Sequence, residues 1–397
     1  MFKRIQIFTF IFFLCQISWS SVDVSSRFLT MNDGLSSNSV LSIIQDNKGF
    51  MWIGTSNGLN RYDGYNFVSY FPEKGKISLI DNRIKKISEN KNGFLWIYSN
   101  SENFSCYDLE KGCFVDYTGC GKYADKYNHM MGTKVGDVWL WHENNGCQRI
   151  IYKNGKFRSQ LYKSANGLLP SNKVKNIVDD SQGNIWIITD KGAVKVSQRS
   201  IKKIGLGISF VSVHPYRQGC FLLSSDGCVY DYKERSGLNF ITRLIKKVGE
   251  FGYTDSFIYL NKWIIMTQRK SYVFDFESHL FVKDEFWEHV TGRFVTDNAG
   301  NYLVYNGTGF VYYINEKTRK TKKIQLIPGN LVKSIAFERY HILQDNKGLI
   351  WISTYGNGLF VFNPETDDLT HYNYRRGFLN SISSNYIISI FKDREEN

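Results

Sequence analysis

Short runs of alternating apolar and polar residues, cut by glycine-bearing turns, recur along nearly the whole chain. In the clearest stretch the alternation predicts strands over residues 40–45, 51–55, 59–62 and 67–70, since a period of two sets one face of each strand against a core. The breaks between them, Asp46-Asn47-Lys48-Gly49, Ser56-Asn57-Gly58 and Asp63-Gly64-Tyr65, are rich in turn formers. The same pattern returns at intervals of roughly 40 residues, and a four-stranded antiparallel unit of that length is a propeller blade. Such a unit cannot bury both faces alone, so neighbours must stack around an axis. The expected fold class is all-β, a β-propeller of four-stranded blades.

An anchor Asp-x-x-Gly-x-x-Trp marks the copies. It reads Asp46/Gly49/Trp52, Asp180/Gly183/Trp186 and Asp345/Gly348/Trp351. Near Trp96 the acidic position shifts to Glu89 or Asn90, and Trp139 keeps Gly136 without the acid. Three worn copies are placed around Phe221, Trp263 and Tyr302, the last retaining Asp297 and Gly300, so that successive anchors lie 35 to 49 residues apart. The Gly supplies positive φ to the turn between the first and second strands. The Asp accepts hydrogen bonds from that turn's backbone, and the Trp enters the layer between blades as a large apolar wedge. Structural work, not catalysis, is the reading for Asp46, Asp180 and Asp345.

Composition changes this picture little, but the N-terminus adds to it. Lys3 and Arg4 precede an apolar run from Ile5 to Ile17, and Ser18-Trp19-Ser20 offers small residues for a signal peptidase. This reads as a secretory signal over residues 1–20, since the run is shorter than the ~20 residues a span needs. Cys15 lacks the small preceding residue of a lipid-anchor signal. No later apolar run reaches ~18 residues. An exported chain permits disulfides among Cys106, Cys113, Cys120, Cys147, Cys220 and Cys228. Pairing of Cys106 with Cys113 and of Cys220 with Cys228 across hairpins stands beside free buried thiols. No Cys/His spacing suggests a metal and no cofactor motif is found. The net charge of +13 is spread rather than clustered, which argues against nucleic acid and is compatible with an acidic ligand.

The run from Gly34 to Asn38, followed by Ile44 to Tyr62, resembles the two-component regulator propeller repeat. That resemblance covers nearly all of the chain after the signal and is weak from Ile201 to Ile327. It implies the N-terminal periplasmic sensor portion of a Bacteroidetes hybrid two-component histidine kinase, which recognises oligosaccharides and controls polysaccharide-utilisation genes. A second sensor chain is an implied partner. No kinase, receiver or DNA-binding motif is present. The final residues, GFLNSISSNYIISIFKDREEN, open a ninth copy, with Ser383-Ser384-Asn385 matching Ser36-Ser37-Asn38 and Asp393 standing where Asp46 stands. The chain is therefore read as truncated. The family pattern favours seven blades over residues 21–330 and the start of a second propeller over 331–397; one ring of eight copies is the alternative.

Strand directions in a blade put the connector into the inner strand and the loop between the second and third strands on one face. That face carries the candidate ligand-binding residues Asn38, Asn57, Asn82, Arg83, Trp141, His142, Asn172, Lys191 and Tyr355. Amides, guanidinium and aromatic rings suit a sugar, while Asn and Ser also cap turns. Three functions compete: a periplasmic ligand sensor, an exported scaffold for protein interaction, and a propeller glycosidase or lyase. The third lacks a paired-carboxylate geometry that sequence can state.

Overall fold

The computed structural model describes residues 27–395 apart from 119–125, 181, 217–218, 245–251, 269, 306–308, 319, 328–339 and 379–380. The signal segment 1–20, Cys120 and the domain boundary at 330/331 lie outside the described residues. Among the described residues thirty-two strands form eight four-stranded sheets, each a meander of sequence neighbours. The blades cover residues 40–70, 84–115, 129–162, 174–204, 210–243, 253–282, 293–325 and 341–372. Eight blades are present among the described residues, consistent with the eight-bladed alternative. The eighth sheet packs on the seventh as the others pack on theirs: Leu303, Val311 and Ile324 share one buried cluster with Ile350, Ile352 and Phe360.

The core lies in the layers between blades. In blade 1 the second strand, Met51–Thr55, is buried on both faces. Trp52 enters the layer with Ile84, Leu95 and Ile97 of blade 2, while Ile53 turns back towards Leu35 and Tyr62. Layers of this kind join every consecutive pair from blades 1 and 2 to blades 7 and 8. Removing such a buried indole to alanine costs about 3–5 kcal/mol.

Two anchor positions are corrected by the register. Ile258 pairs with Trp263 and Thr296 with Tyr302. Both side chains therefore face the preceding blade: Trp263 packs with Phe221 and Leu223 of blade 5, and Tyr302 stacks on Phe257 of blade 6. Ile264 and Leu303, one residue on, take the forward position. A one-residue offset in a strand exchanges its faces. Of the two alternatives for the cysteines, the structure shows free thiols. Cys106 lies opposite Val115 and Cys113 opposite Asp108, while Cys220 faces Tyr232 and Cys228 faces Arg243. Cys106, Cys113, Cys147, Cys220 and Cys228 are free thiols.

Among the described residues no buried cluster joins blade 8 to blade 1. The C-terminal segment runs there instead. Tyr386 bridges Tyr355, and the Ile387 N–H donates to the Thr354 carbonyl at 3.1 Å. Arg394 then reaches blade 1, its guanidinium donating to the carbonyls of Asp46 (2.9 Å) and Asn47 (3.0 Å) and its N–H to Gln45 Oε1 (2.9 Å).

Candidate functional site

Backbone bonds gather the connectors and the loops after the second strands on one face. The Gly58 N–H donates to the Asn82 carbonyl, Asn100 to Arg83 and Gly146 to Asn172, while the Lys191 carbonyl accepts from Gly207. Gly58 is required there: its φ is +113°, and a Cβ would lie 2.8 Å from the Phe71 ring and 3.1 Å from the Tyr70 carbonyl oxygen. All nine candidate positions thus belong to, or flank, these stitched loops.

Several of their side chains are already committed. Asn38 Oδ1 accepts the Met31 N–H at 2.7 Å, and Asn172 Oδ1 accepts the Ser164 N–H at 2.8 Å. Both clamp the chain entering their blade, which is capping work. Asn57 is held through its N–H to Thr55 Oγ1, and His142 Nδ1 accepts the Asn144 N–H. Asn82 contributes its backbone carbonyl. Arg83 and Lys191 are exposed and form no ion pair among the described residues. Tyr355 is half exposed and meets Tyr386 edge-on at 5.2 Å.

Blade 3 differs from its neighbours. Trp141 is buried and stacks on His129 at 5.2 Å, its indole N–H without a partner, as is the buried Asn128 Oδ1. Burial holds the His129 imidazole below its ordinary pKa; His142 and Lys86 push the same way and Glu143 opposes them. The candidates therefore do not converge on one pocket. They form a polar rim with uncommitted cations on blades 2 and 4 and an aromatic pair on blade 3. Among the described residues no group of three or more His, Cys, Asp or Glu is placed to hold a metal.

The motif acids have their full complement of bonds. Asp46 is completely buried; its Oδ1 accepts the N–H groups of Lys48 (2.9 Å) and Phe50 (3.0 Å), and its Oδ2 accepts the Trp52 indole N–H at 2.7 Å. Asp180 with Trp186 and Asp345 with Trp351 repeat the arrangement. Gly49, Gly183 and Gly348 carry the positive φ expected of them. The Asp–indole bond was not part of the sequence reading, although the constant spacing of six residues between Asp and Trp is its signature. Trp96 and Trp139, whose copies lack the acid, have buried indole N–H groups without a partner.

The opposite face holds a cavity that sequence reasoning missed. It measures about 790 Å³ and sits between blades 5 and 6, where the hairpin turns of both blades meet. Its walls include Tyr216, Phe221 and Phe276 on the aromatic side and Asp231, Glu234 and Arg235 on the polar side. The aromatic pattern was visible in sequence, but which hairpin ends approach one another depends on blade packing.

Residues 34–57 and 168–191 match the family described as two component regulator propeller. The fold is a β-propeller of four-stranded blades, and two of its repeats are similar to the two component regulator propeller family. Among curated relatives, a histidine kinase of Formosa agariphila is 24% identical across 92% of this chain. The chain spans only 35% of that relative's length. Among solved structures, the extracellular domain of a putative one component system of B. thetaiotaomicron is 17% identical with a TM-score of 0.47, covering 84% of this chain and 49% of that one. Virginiamycin B lyase of Staphylococcus aureus is 14% identical with a TM-score of 0.36, covering 73% of this chain and 95% of its own. The fold assignment rests on the strand pairing described above, not on these resemblances.

Proposed function

We propose that this chain is the ligand-sensing propeller of an exported two-component signalling protein and that it recognises an oligosaccharide. The observation that carries this reading is the asymmetry of its match to the histidine kinase: nearly the whole chain aligns, yet it accounts for about a third of that protein. A propeller occupying that share of a kinase is suited to reporting on a ligand. The polar rim of the connector face, with Arg83 and Lys191 uncommitted and Tyr355 exposed, offers hydrogen-bond donors and a stacking ring. A catalytic role is disfavoured because the recurrent acids, Asp46 and Asp180 buried and Asp345 half-buried, are spent on turn and indole bonds.

The test is a thermal-shift screen of the chain without residues 1–20 against neutral and acidic oligosaccharides, with chromatography of each sugar afterwards. We expect one glycan class to raise Tm saturably while the sugar is recovered intact. A ligand at a hundredfold its Kd stabilises by about 2.7 kcal/mol. Sugar cleavage, or a cooperative melt that no glycan moves, would count against this function.

A further inference from the structure

The copies that depart most from the repeat are blades 5 and 6, and the cavity lies between them. In blade 1 the first hairpin turn is organised by Asp46. In blade 5 the first two strands pair as far as Tyr216–Gly219, and in blade 6 a tight turn is closed by the pair Tyr259–Lys262. The place of the Asp-bonded turn is taken by aromatic rings. Tyr216 stacks on Phe276 at 4.3 Å and 15°, and Phe221 lies 5.0 Å from Phe276. The Tyr216 hydroxyl donates to Asn261 Oδ1 at 3.0 Å, fixing the ring across the blade boundary.

The wall opposite is charged and unbalanced. Glu234 receives both Lys195 from blade 4 and Lys202, and Asp231 receives Lys233 at 3.0 Å. Arg235, exposed beside them, has no ion-pair or hydrogen-bond partner among the described residues. Of these groups Asp231, Lys233, Glu234 and Arg235 line the cavity, and both carboxylates are already paired with lysines, which leaves the Arg235 charge unmatched. Backbone strain concentrates on the same edge. Leu260, Asn261 and His279, three of the six non-glycine residues with positive φ among the described residues, belong to the blade 6 turns at the cavity. Such conformations cost free energy and persist where surrounding structure enforces them, often at ligand sites.

We propose that this cavity binds a sugar unit bearing an anionic group, its ring face on Tyr216 and its anion on Arg235. This deepens the sensing function above and rests on it. The volume is within the ~300–1,000 Å³ range of small-ligand sites. An aromatic wall accepts the C–H face of a pyranose, and a free guanidinium offers a forked pair of donors that matches carboxylate or sulfate geometry. The cavity is on the face opposite the connector rim, so the two candidate surfaces are separable by mutation.

The experiment is isothermal titration of the whole chain with tri-galacturonate (carboxylates), a κ-carrageenan tetrasaccharide (sulfates) and galactotriose (neutral). We expect one or both anionic sugars to bind and galactotriose to be silent; the sugar that binds identifies the anion. Arg235→Ala should weaken Kd at least about tenfold, the effect of losing a charge-assisted hydrogen bond, with the unliganded melt unchanged because Arg235 is exposed. Tyr216→Ala should weaken it similarly, and Arg83→Ala on the opposite face should leave it unaltered. Anionic binding that survives both cavity variants, or equal binding of galactotriose, overturns the assignment. Loss with Arg83→Ala instead moves the ligand to the connector face and leaves sensing intact. If neither anionic sugar binds while another glycan raises Tm, the cavity proposal falls alone.

Discussion

One carboxylate performs three tasks in the best-preserved blades. Asp46 accepts two backbone N–H groups that close the turn and accepts the buried indole N–H of Trp52. Truncation to alanine leaves the buried indole N–H and two part-buried turn N–H groups without this acceptor, so Asp46→Ala should destabilise by about 3 kcal/mol, whereas Asp46→Asn preserves the Oδ1 acceptor and should cost less. Urea unfolding of the two variants checks the order; equal losses would mean that the turn bonds contribute nothing. Blade 2 already shows the lesser state: Asn90 Oδ1 accepts the Asn92 and Phe94 N–H groups, yet Trp96 goes unbonded. A second residue-scale consequence concerns His214, which lies against Trp263 and whose pKa burial lowers to about 4. Between that value and the unfolded value near ~6.5, only the unfolded chain binds the proton. This stability contribution is therefore present above about pH 6.5 and is lost as pH falls towards 4, by at most about 3 kcal/mol. In His214→Phe, Tm should depend less on pH across that window; an unchanged slope would assign the acid sensitivity elsewhere.

At the scale of elements, the first blade was legible almost residue by residue. The alternation from Val40 to Tyr70 and its three glycine or asparagine turns set all four strands, and only Gly58 joined the third strand beyond the expected start. Legibility failed where the turn chemistry changed. Blade 6 has no such Asp to fix the phase, and in blade 7 the Asp297/Gly300 spacing points to Leu303; Trp263 and Tyr302 marked their copies only because they are large and aromatic. Pairing decides which face a residue takes, and pairing is not local in sequence. The candidate site was less legible still. Asn38 and Asn172 are the residue types a sugar site uses, but the same amide oxygens serve as caps, and only the observed N–H partners separate the two uses. The cavity between blades 5 and 6 could not be read at all, because Tyr216 and Phe276 lie 60 positions apart in the sequence and meet only through blade stacking. An element-scale prediction follows from Gly58. Gly58→Ala should lower Tm appreciably, since the Cβ meets both the Phe71 ring and the Tyr70 carbonyl at a positive φ. A Gly64→Ala control meets no atom within 4 Å and shares only the φ penalty, so it should cost less. Matching losses would show that the close approach is relieved without cost.

On the scale of the whole molecule, stability comes from layers between blades, and the meeting of blade 8 with blade 1 is the exception. Trp52, Trp96, Trp139 and Trp186 are sealed in their layers, whereas Trp351, in the same motif position of blade 8, is half-buried. Trp141, Trp263 and Trp287 are buried too, so Trp351 should dominate acrylamide-quenchable fluorescence in the chain without residues 1–20. Trp351→Phe should remove most of that quenchable fraction; persistence of it would place the opening elsewhere. The ninth-copy segment partly supplies what the motif expects. Asn385 Oδ1 accepts the Tyr374 N–H at 2.6 Å, as Asn38 does for Met31, and Arg394 ties the segment to blade 1.

The central claim is that this repeat-built propeller holds a glycan at its loops without altering it. Hydrogen–deuterium exchange of the chain with and without the stabilising glycan tests it most directly. We expect protection confined to loop peptides on one propeller face, unchanged exchange in the second strands such as Met51–Thr55, and intact sugar at the end. No protected peptide with any glycan, or recovery of cleaved sugar, would contradict the account.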